Sequence, residues 1–295
     1  MEPPFEVLVR RGGTVESRHV VHAVAVKDGE VVAAAGDPHL VTFMRSSAKP
    51  FQALSLARAY DDLDSRELAI ASASHLALPD QLDAVRMLLR RAGCGVDDLE
   101  CGAAGSPPSR IKHNCSGKHA GMLAVCRARG WRTEGYRLAG HRMQRQNLAE
   151  VARHAGLDED AIASAVDGCG VVTFAFALER MARMFASLES TPEGKRVADA
   201  MRAHPEYIRG PGATDTVLMQ SLAGATAKGG AEGLMCGSLP DGVGFALKCA
   251  DGNARALRPA LAAFMPQLGH DLPEFASTPV TNSREEAVGD VVLAG

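Results

Sequence analysis

His19-Val20-Val21-His22-Ala23-Val24-Ala25-Val26-Lys27-Asp28-Gly29-Glu30-Val31-Val32-Ala33-Ala34 sets two β-branched runs on either side of an Asp-Gly pair. Glycine tolerates the positive φ of a tight two-residue turn, so the stretch predicts an antiparallel hairpin with strands over 19–26 and 30–34. Upstream, residues 5–9 form another candidate strand; downstream, Asp37-Pro38 marks a turn. The same pattern returns near the other end. Residues 234–238 and 243–249 flank Leu239-Pro240-Asp241-Gly242, and residues 291–293 follow Gly289-Asp290 as a short last strand. Helical spacing fills the middle. Leu82, Val85, Leu88 and Leu89 follow Pro79-Asp80 and stop at Gly93. Residues 119–129, 147–154, 174–188, 195–204 and 255–264 are the other expected helices. Strands at both ends with helices between them predict a mixed α/β fold, a mainly antiparallel sheet with a helical lobe packed on it. With no repeat and no low-complexity linker, residues 1–295 are expected to form a single domain.

Composition narrows the function. The 295 residues carry 32 Lys+Arg against 35 Asp+Glu, a net charge of -3, with no block of like charges to draw nucleic acid or an anionic membrane. Aromatic residues make up 4%, too few for a base-stacking surface. The start lacks the basic and apolar runs of a signal peptide, and no stretch is apolar enough to span a bilayer, so a cytoplasmic protein is expected. Seven widely spaced cysteines argue against a disulfide framework.

Met44-Arg45-Ser46-Ser47-Ala48-Lys49-Pro50-Phe51 contains a Ser-x-x-Lys motif. Proline is tolerated in the first turn of a helix, which puts the motif at a strand-to-helix junction. Residues three apart share a helix face, so a neutral Lys49 would reach the Ser46 hydroxyl and take its proton. The blander reading is a serine cap beside a solvated lysine. The Ser-Asp-Asn and Lys-Thr-Gly companions of β-lactamases are not found. A second serine stands in Ala71-Ser72-Ala73-Ser74-His75, with no nucleophile-elbow glycines around it.

His113-Asn114-Cys115-Ser116-Gly117-Lys118-His119-Ala120-Gly121 is the densest polar cluster, and Asp167-Gly168-Cys169-Gly170 is a second cysteine-bearing turn. Two thiolates make half of a tetrahedral zinc set, and spacing alone leaves His113 or His119 as the third ligand, against a bland reading of two buried thiols. Lys248-Cys249-Ala250-Asp251-Gly252-Asn253 follows a strand, where a lysine is ordinarily solvated.

These motifs, together with Val7-Leu8-Val9-Arg10-Arg11-Gly12-Gly13-Thr14, Met122-Leu123, Gly230-Ala231-Glu232-Gly233 and Ala246-Leu247-Lys248, resemble the thermolabile, Rhizobium etli-type L-asparaginase family almost end to end. The resemblance implies a fold similar to serine β-lactamases and glutaminases, a homodimer, and two serine–lysine pairs, Ser46 with Lys49 and Ser74 with Lys248. It implies one zinc ion per chain on Cys115, Lys118 and Cys169, with Arg45, Asn114, His119, Asp167 and Cys236 lining or supporting the pocket. It further implies hydrolysis of L-asparagine to L-aspartate and ammonia. One departure stands out. Small polar residues follow the serine–histidine pair in that family, whereas Leu76-Ala77-Leu78-Pro79 follow His75 here. Another serine–lysine amidohydrolase, acting on glutamine or a β-lactam, and a weakly catalytic zinc-stabilised binding protein remain as alternatives.

Overall fold

The computed structural model describes residues 2–295. The chain divides into two compact units: residues 1–42, 176–186 and 229–295 in the first, residues 43–175 and 187–228 in the second.

The first unit is built on the expected antiparallel sheet. Strand Phe5–Arg11 pairs on one side with Ala287–Leu293 and on the other with Thr14–Lys27, so both chain ends meet in one sheet. Thr14–Lys27 continues into Glu30–Ala35 through Asp28 (φ 52°) and Gly29 (φ 86°), the positive angles the Asp-Gly turn requires. It also pairs with Gly244–Cys249, which pairs in turn with Leu234–Ser238. Strand Ser277–Thr281 adds an edge beside the last strand. Helix Leu178–Ala186 lies against this sheet at Gly244, where an added Cβ would come within 2.0 Å of the Ala182 carbonyl oxygen. Only a residue without a side chain permits that approach. Helix Leu257–Phe264 packs a second apolar face, with Phe264 edge-on to Phe5.

One expected helix is corrected here. Residues 174–188 are not a single helix: Val172–Ala177 is a strand, and the helix begins at Leu178. The strand is almost wholly buried, so its run Val-Thr-Phe-Ala-Phe-Ala has no polar alternation to separate strand from helix.

The second unit is mostly helical. Helix Pro79–Ala92 ends at Gly93 in the left-handed conformation, as the sequence predicts. Ser65–Ala71, outside the expected set, starts on a capping box in which Asp64 and Glu67 satisfy each other's backbone amides. Phe51, Leu54, Leu123 and Val151 are fully buried in this unit, each contributing roughly 1.5 to 3 kcal/mol by leaving water. Helix Ser116–Ala128 meets the end of Ser65–Ala71 closely. A Cβ on Gly117 would lie 2.2 Å from the Ile70 oxygen, and one on Gly121 3.3 Å from the Ala71 methyl. This contact brings residues 72–75 beside residues 114–116 and thereby assembles the site. Among the described residues, no helix is long and apolar enough to cross a membrane.

Candidate active site

The Ser-x-x-Lys segment forms a 3-10 turn, Arg45–Ala48, leading into helix Lys49–Gln52 with its proline in the first turn. Arg45 stands at φ 49°, in the left-handed region that residues other than glycine rarely adopt. Its neighbours hold it there. Its amide donates to Thr173 Oγ1 at 3.2 Å, and its Nε donates to Asp167 Oδ1 at 2.7 Å. Strain of this kind persists where surrounding contacts over-determine it. Directly after this strained residue comes Ser46, half-buried. Ser47 is fully buried and donates its hydroxyl to the Lys228 carbonyl at 2.7 Å.

Lys49 is 1% exposed, and its amine reaches Ser74 Oγ at 2.9 Å and the Ala73 carbonyl. The pair expected between Ser46 and Lys49 is therefore not the hydrogen bond formed; the lysine is bonded to the second serine. Burial pushes the Lys49 amine below its ordinary range, and the charge of Lys118 acts in the same direction, against the opposing pull of Cys115 and Cys169. Ser74 is 1% exposed, and its amide donates to the Ile208 carbonyl at 2.8 Å. His75 next to it accepts from the Ala77 amide at Nδ1, so its Nε2–H donates to Ser116 Oγ at 2.8 Å, and Ser116 donates on to the Ile111 carbonyl. Burial, helped by Lys49, pushes His75 down to about 4, so it acts as a neutral brace. The departing segment Leu76-Ala77-Leu78 is tied by Gln81, whose Oε1 accepts from the amides of Leu76 and Leu78 and whose Nε2 donates to the carbonyls of Glu206 and Arg209. Leu76 is 59% exposed, where a polar residue would be expected.

Cys115 and Cys169 are both buried and unoxidised. They share a hydrogen bond, and Lys118 Nζ lies 3.1 Å from Cys169 Sγ. The Asp167–Gly170 turn presents Cys169: the Gly170 amide donates to the Asp167 carbonyl at 2.8 Å with Gly170 at φ 84°. The bond from Cys169, with the positive charges of Lys49 and Lys118, holds the Cys115 thiol well below its usual range. The same bond and burial hold the proton on Cys169. His119, fully buried, shares a 2.6 Å hydrogen bond from Nδ1 with the Tyr136 hydroxyl, while its Nε2 has no hydrogen-bond partner among the described residues. Burial lowers its pKa well below the ordinary value, leaving a neutral ring. Asn114 is exposed and contributes its carbonyl to the His75 amide at 3.1 Å.

The second unit thus brings together Arg45, Asp167, Lys49, Ser74, Cys115, Lys118 and Cys169. It also holds a lysine outside the predicted set. Lys228, fully buried, faces Asp215 Oδ2 at 3.5 Å; burial first, then the charge of Lys49, pushes it down to about 7. Its sequence context, Thr226-Ala227-Lys228-Gly229-Gly230, offers only a lysine between small residues, so the sequence alone does not single it out. Lys248 and Cys236 belong to the first unit. Lys248 lies on strand Gly244–Cys249 opposite His22 and Leu234, with its amine donating to the Cys249 carbonyl. Cys236, fully buried, lies opposite Ala246.

Among the described residues, the first unit holds a cluster of metal-ligating types, His19, Cys249 and Asp251. His19 Nδ1 lies 2.6 Å from Asp251 Oδ2, and Arg255 Nε donates to His19 Nε2 at 2.9 Å. With Nε2 accepting, the proton sits on Nδ1 facing the carboxylate, so the ring is already satisfied at both nitrogens.

No curated protein matches the chain. Among solved structures, Mglu in its native form superposes with a TM-score of 0.50 at 14% identity, over 86% of this chain and 66% of that one. The chain therefore spans just under two thirds of the length of that relative. The glutaminase YbgJ of Bacillus subtilis, solved as a covalent complex with 5-oxo-L-norleucine, gives a TM-score of 0.34 at 12% identity over 77% of this chain and 79% of that one. The likeness to Mglu bears out the expected fold class, a mixed α/β chain with a mainly antiparallel sheet. The sequence profile described as L-asparaginase II matches residues 7–293, so the chain belongs to the L-asparaginase II family.

Proposed function

We propose that the protein is an amidohydrolase that cleaves the side-chain amide of L-asparagine to L-aspartate and ammonia by serine–lysine chemistry. The observation that carries this reading is the buried Lys49 amine bonded to Ser74 Oγ, with its proton affinity lowered by burial. A lysine in that state holds its proton less tightly than a solvated one and so can take a proton from a serine hydroxyl. Ser46 is the proposed nucleophile. It is the more accessible of the two serines, it follows a backbone strained at Arg45, and it lies one helical turn before Lys49. Attack of Ser46 Oγ on the amide carbon passes the hydroxyl proton to Lys49. The proton then goes to the departing nitrogen, releasing ammonia, and a water takes the acyl group from Ser46. Ser74, hydrogen-bonded to Lys49, relays the proton. Lys228 is assigned the second amine's role in preference to Lys248, because it is fully buried in the same unit and its charge works against that of Lys49.

The donor set of Cys115, Lys118 and Cys169 fits a zinc ion: two sulfurs and an amine converge in a buried place without a disulfide, and His119 Nε2 is left unpartnered in the same segment. A bound Zn²⁺ would supply positive charge toward the carboxylate end of the substrate and keep both thiols ionised. Assignment to the thermolabile subtype and a homodimeric assembly belong to the same reading and rest on the sequence resemblance; a cytoplasmic location belongs to it too and rests on the sequence pattern. The exposed Leu76 favours comparing a second substrate, since it replaces a polar side chain beside Ser74 with an apolar one.

Ammonia release from asparagine and from glutamine, compared in the wild type and in Ser46→Ala, tests the proposal. Turnover of asparagine lost in the variant supports it. Exclusive turnover of glutamine, or full activity in the variant, refutes it.

A further inference from the structure

A cleft of about 350 Å³ lies at the start of helix Arg142–Ala155, against the loop that leaves helix Ser116–Ala128. Trp131, Arg132, His141, Arg142 and Arg145 line it. Arg142 and Arg145 are three apart in the first turns of the helix and so share one face. His141 fixes the third arginine relative to them. It is 5% exposed, its Nδ1 accepts the Met143 amide at 3.0 Å, and its Nε2 donates to the Arg132 carbonyl at 3.0 Å. The carbonyls of Val125, Arg127 and Cys126 at the end of helix Ser116–Ala128 accept the amides of Arg129, Gly130 and Trp131, which fixes the loop that carries Trp131.

Among the described residues, none of these three guanidinium groups has an ion-pair partner, although the chain carries more acidic than basic residues. Their neighbours do: Arg137 pairs with Glu100 at 3.4 Å, and Arg153 with Glu150 at 2.8 Å. Three unpaired forks around one concavity repel each other and match, in shape and charge, an anion that several N–H groups hold at once. The remaining wall is Trp131, the only tryptophan of the chain, a flat apolar face beside the cationic one.

We propose that this cleft binds a pyrophosphate-bearing anion, the arginines holding the phosphates. Two sources carry that chemistry: inorganic pyrophosphate, and a nucleoside diphosphate whose base stacks on the Trp131 indole. The site is separate from the serine–lysine cluster and does not depend on the proposed reaction.

The intrinsic fluorescence of Trp131 reports directly on the cleft. The full-length protein is titrated with inorganic pyrophosphate, ADP and adenosine at constant ionic strength, with sodium chloride as the control. The expected result is a saturable change with pyrophosphate or ADP, at least about tenfold weaker in each of Arg142→Gln and Arg145→Gln. Both arginines are solvent-exposed, and circular dichroism confirms that the variants fold. Tighter binding of ADP than of pyrophosphate identifies the nucleotide as the source. Equal binding identifies the phosphate group alone. A response matched by chloride, no saturable response, or one that survives in the Arg142→Gln/Arg145→Gln double variant, as metal stripping by pyrophosphate would, overturns the site.

Discussion

Lys49 Nζ and Ser74 Oγ are 2.9 Å apart in a place almost closed to water, although Lys49 opens a short helix and Ser74 lies in the loop after helix Ser65–Ala71. A buried amine costs free energy when charged, so burial favours the neutral form that can take a serine proton. The serine it touches is not the one that shares its motif. That division of labour separates two variants. Ser46→Ala should lower kcat by at least about 10³-fold, and Ser74→Ala by a smaller factor of about 10 to 10² as the relay is lost. Steady-state ammonia release checks this. If Ser74→Ala proves the more damaging of the two, the nucleophile is Ser74.

Lys228 and Lys248 make opposing forecasts. Lys228→Met leaves Asp215, 2% exposed, without its buried cation, and should cost about 3 to 5 kcal/mol in urea unfolding. In protein still folded at low temperature, kcat should fall by about 10²-fold. Lys248→Met should disturb kcat less. The reverse order would return the second catalytic amine to Lys248.

Metal content follows the thiols. Purified protein should carry about one zinc per chain, and Cys115→Ala or Cys169→Ala should lose most of it by elemental analysis. Zinc retained at full occupancy in both variants would rule out the proposed ligands.

Stability below neutral pH should report His154. It is 4% exposed, and burial, aided by Arg153, pushes it down to about 4. The unfolded chain takes up a proton near pH 6.5 that the folded protein refuses until about pH 4. The contribution is therefore whole above pH 6.5 and shrinks as pH falls toward 4, by about 1.4 kcal/mol per pH unit. Between pH 7 and 5 the wild type should lose about 2 kcal/mol more than His154→Gln, read from urea midpoints at each pH. Parallel curves would show that His154 titrates alike in both states.

The contact that assembles the site admits a graded test. Gly117→Ala drives a methyl to 2.2 Å from backbone oxygen and should cost about 1 to 3 kcal/mol or more, with activity falling as residues 72–75 shift. Gly121→Ala meets only side-chain methyls at 3.3 Å and should cost less than about 1 kcal/mol. Thermal melts of the two variants, run together, decide it.

Local chemistry made much of the fold legible. Asp28-Gly29 and Pro240-Asp241-Gly242 read as turns because few residues accept their backbone angles, and Gly93 closed a helix for the same reason. Strand Val172–Ala177 did not read correctly, because a run buried on every side carries no periodicity. The capping box of Asp64 and Glu67 was present in the sequence, but its helix is short and weakly patterned.

What the chain determined by itself was the set of chemical groups and the local geometry around each: the Ser46-x-x-Lys49 turn, the thiols at Cys115 and Cys169, the hairpins at both ends. Tertiary structure decided the partnerships, since proton transfer depends on which groups touch and on how much water surrounds them. Lys49 found Ser74 because Gly117 let two helices close on one another, and Lys228, unremarkable as a letter in a strand, acquired an unusual proton affinity only by being enclosed. Burial and distance across the fold are set by packing, which no window of sequence contains.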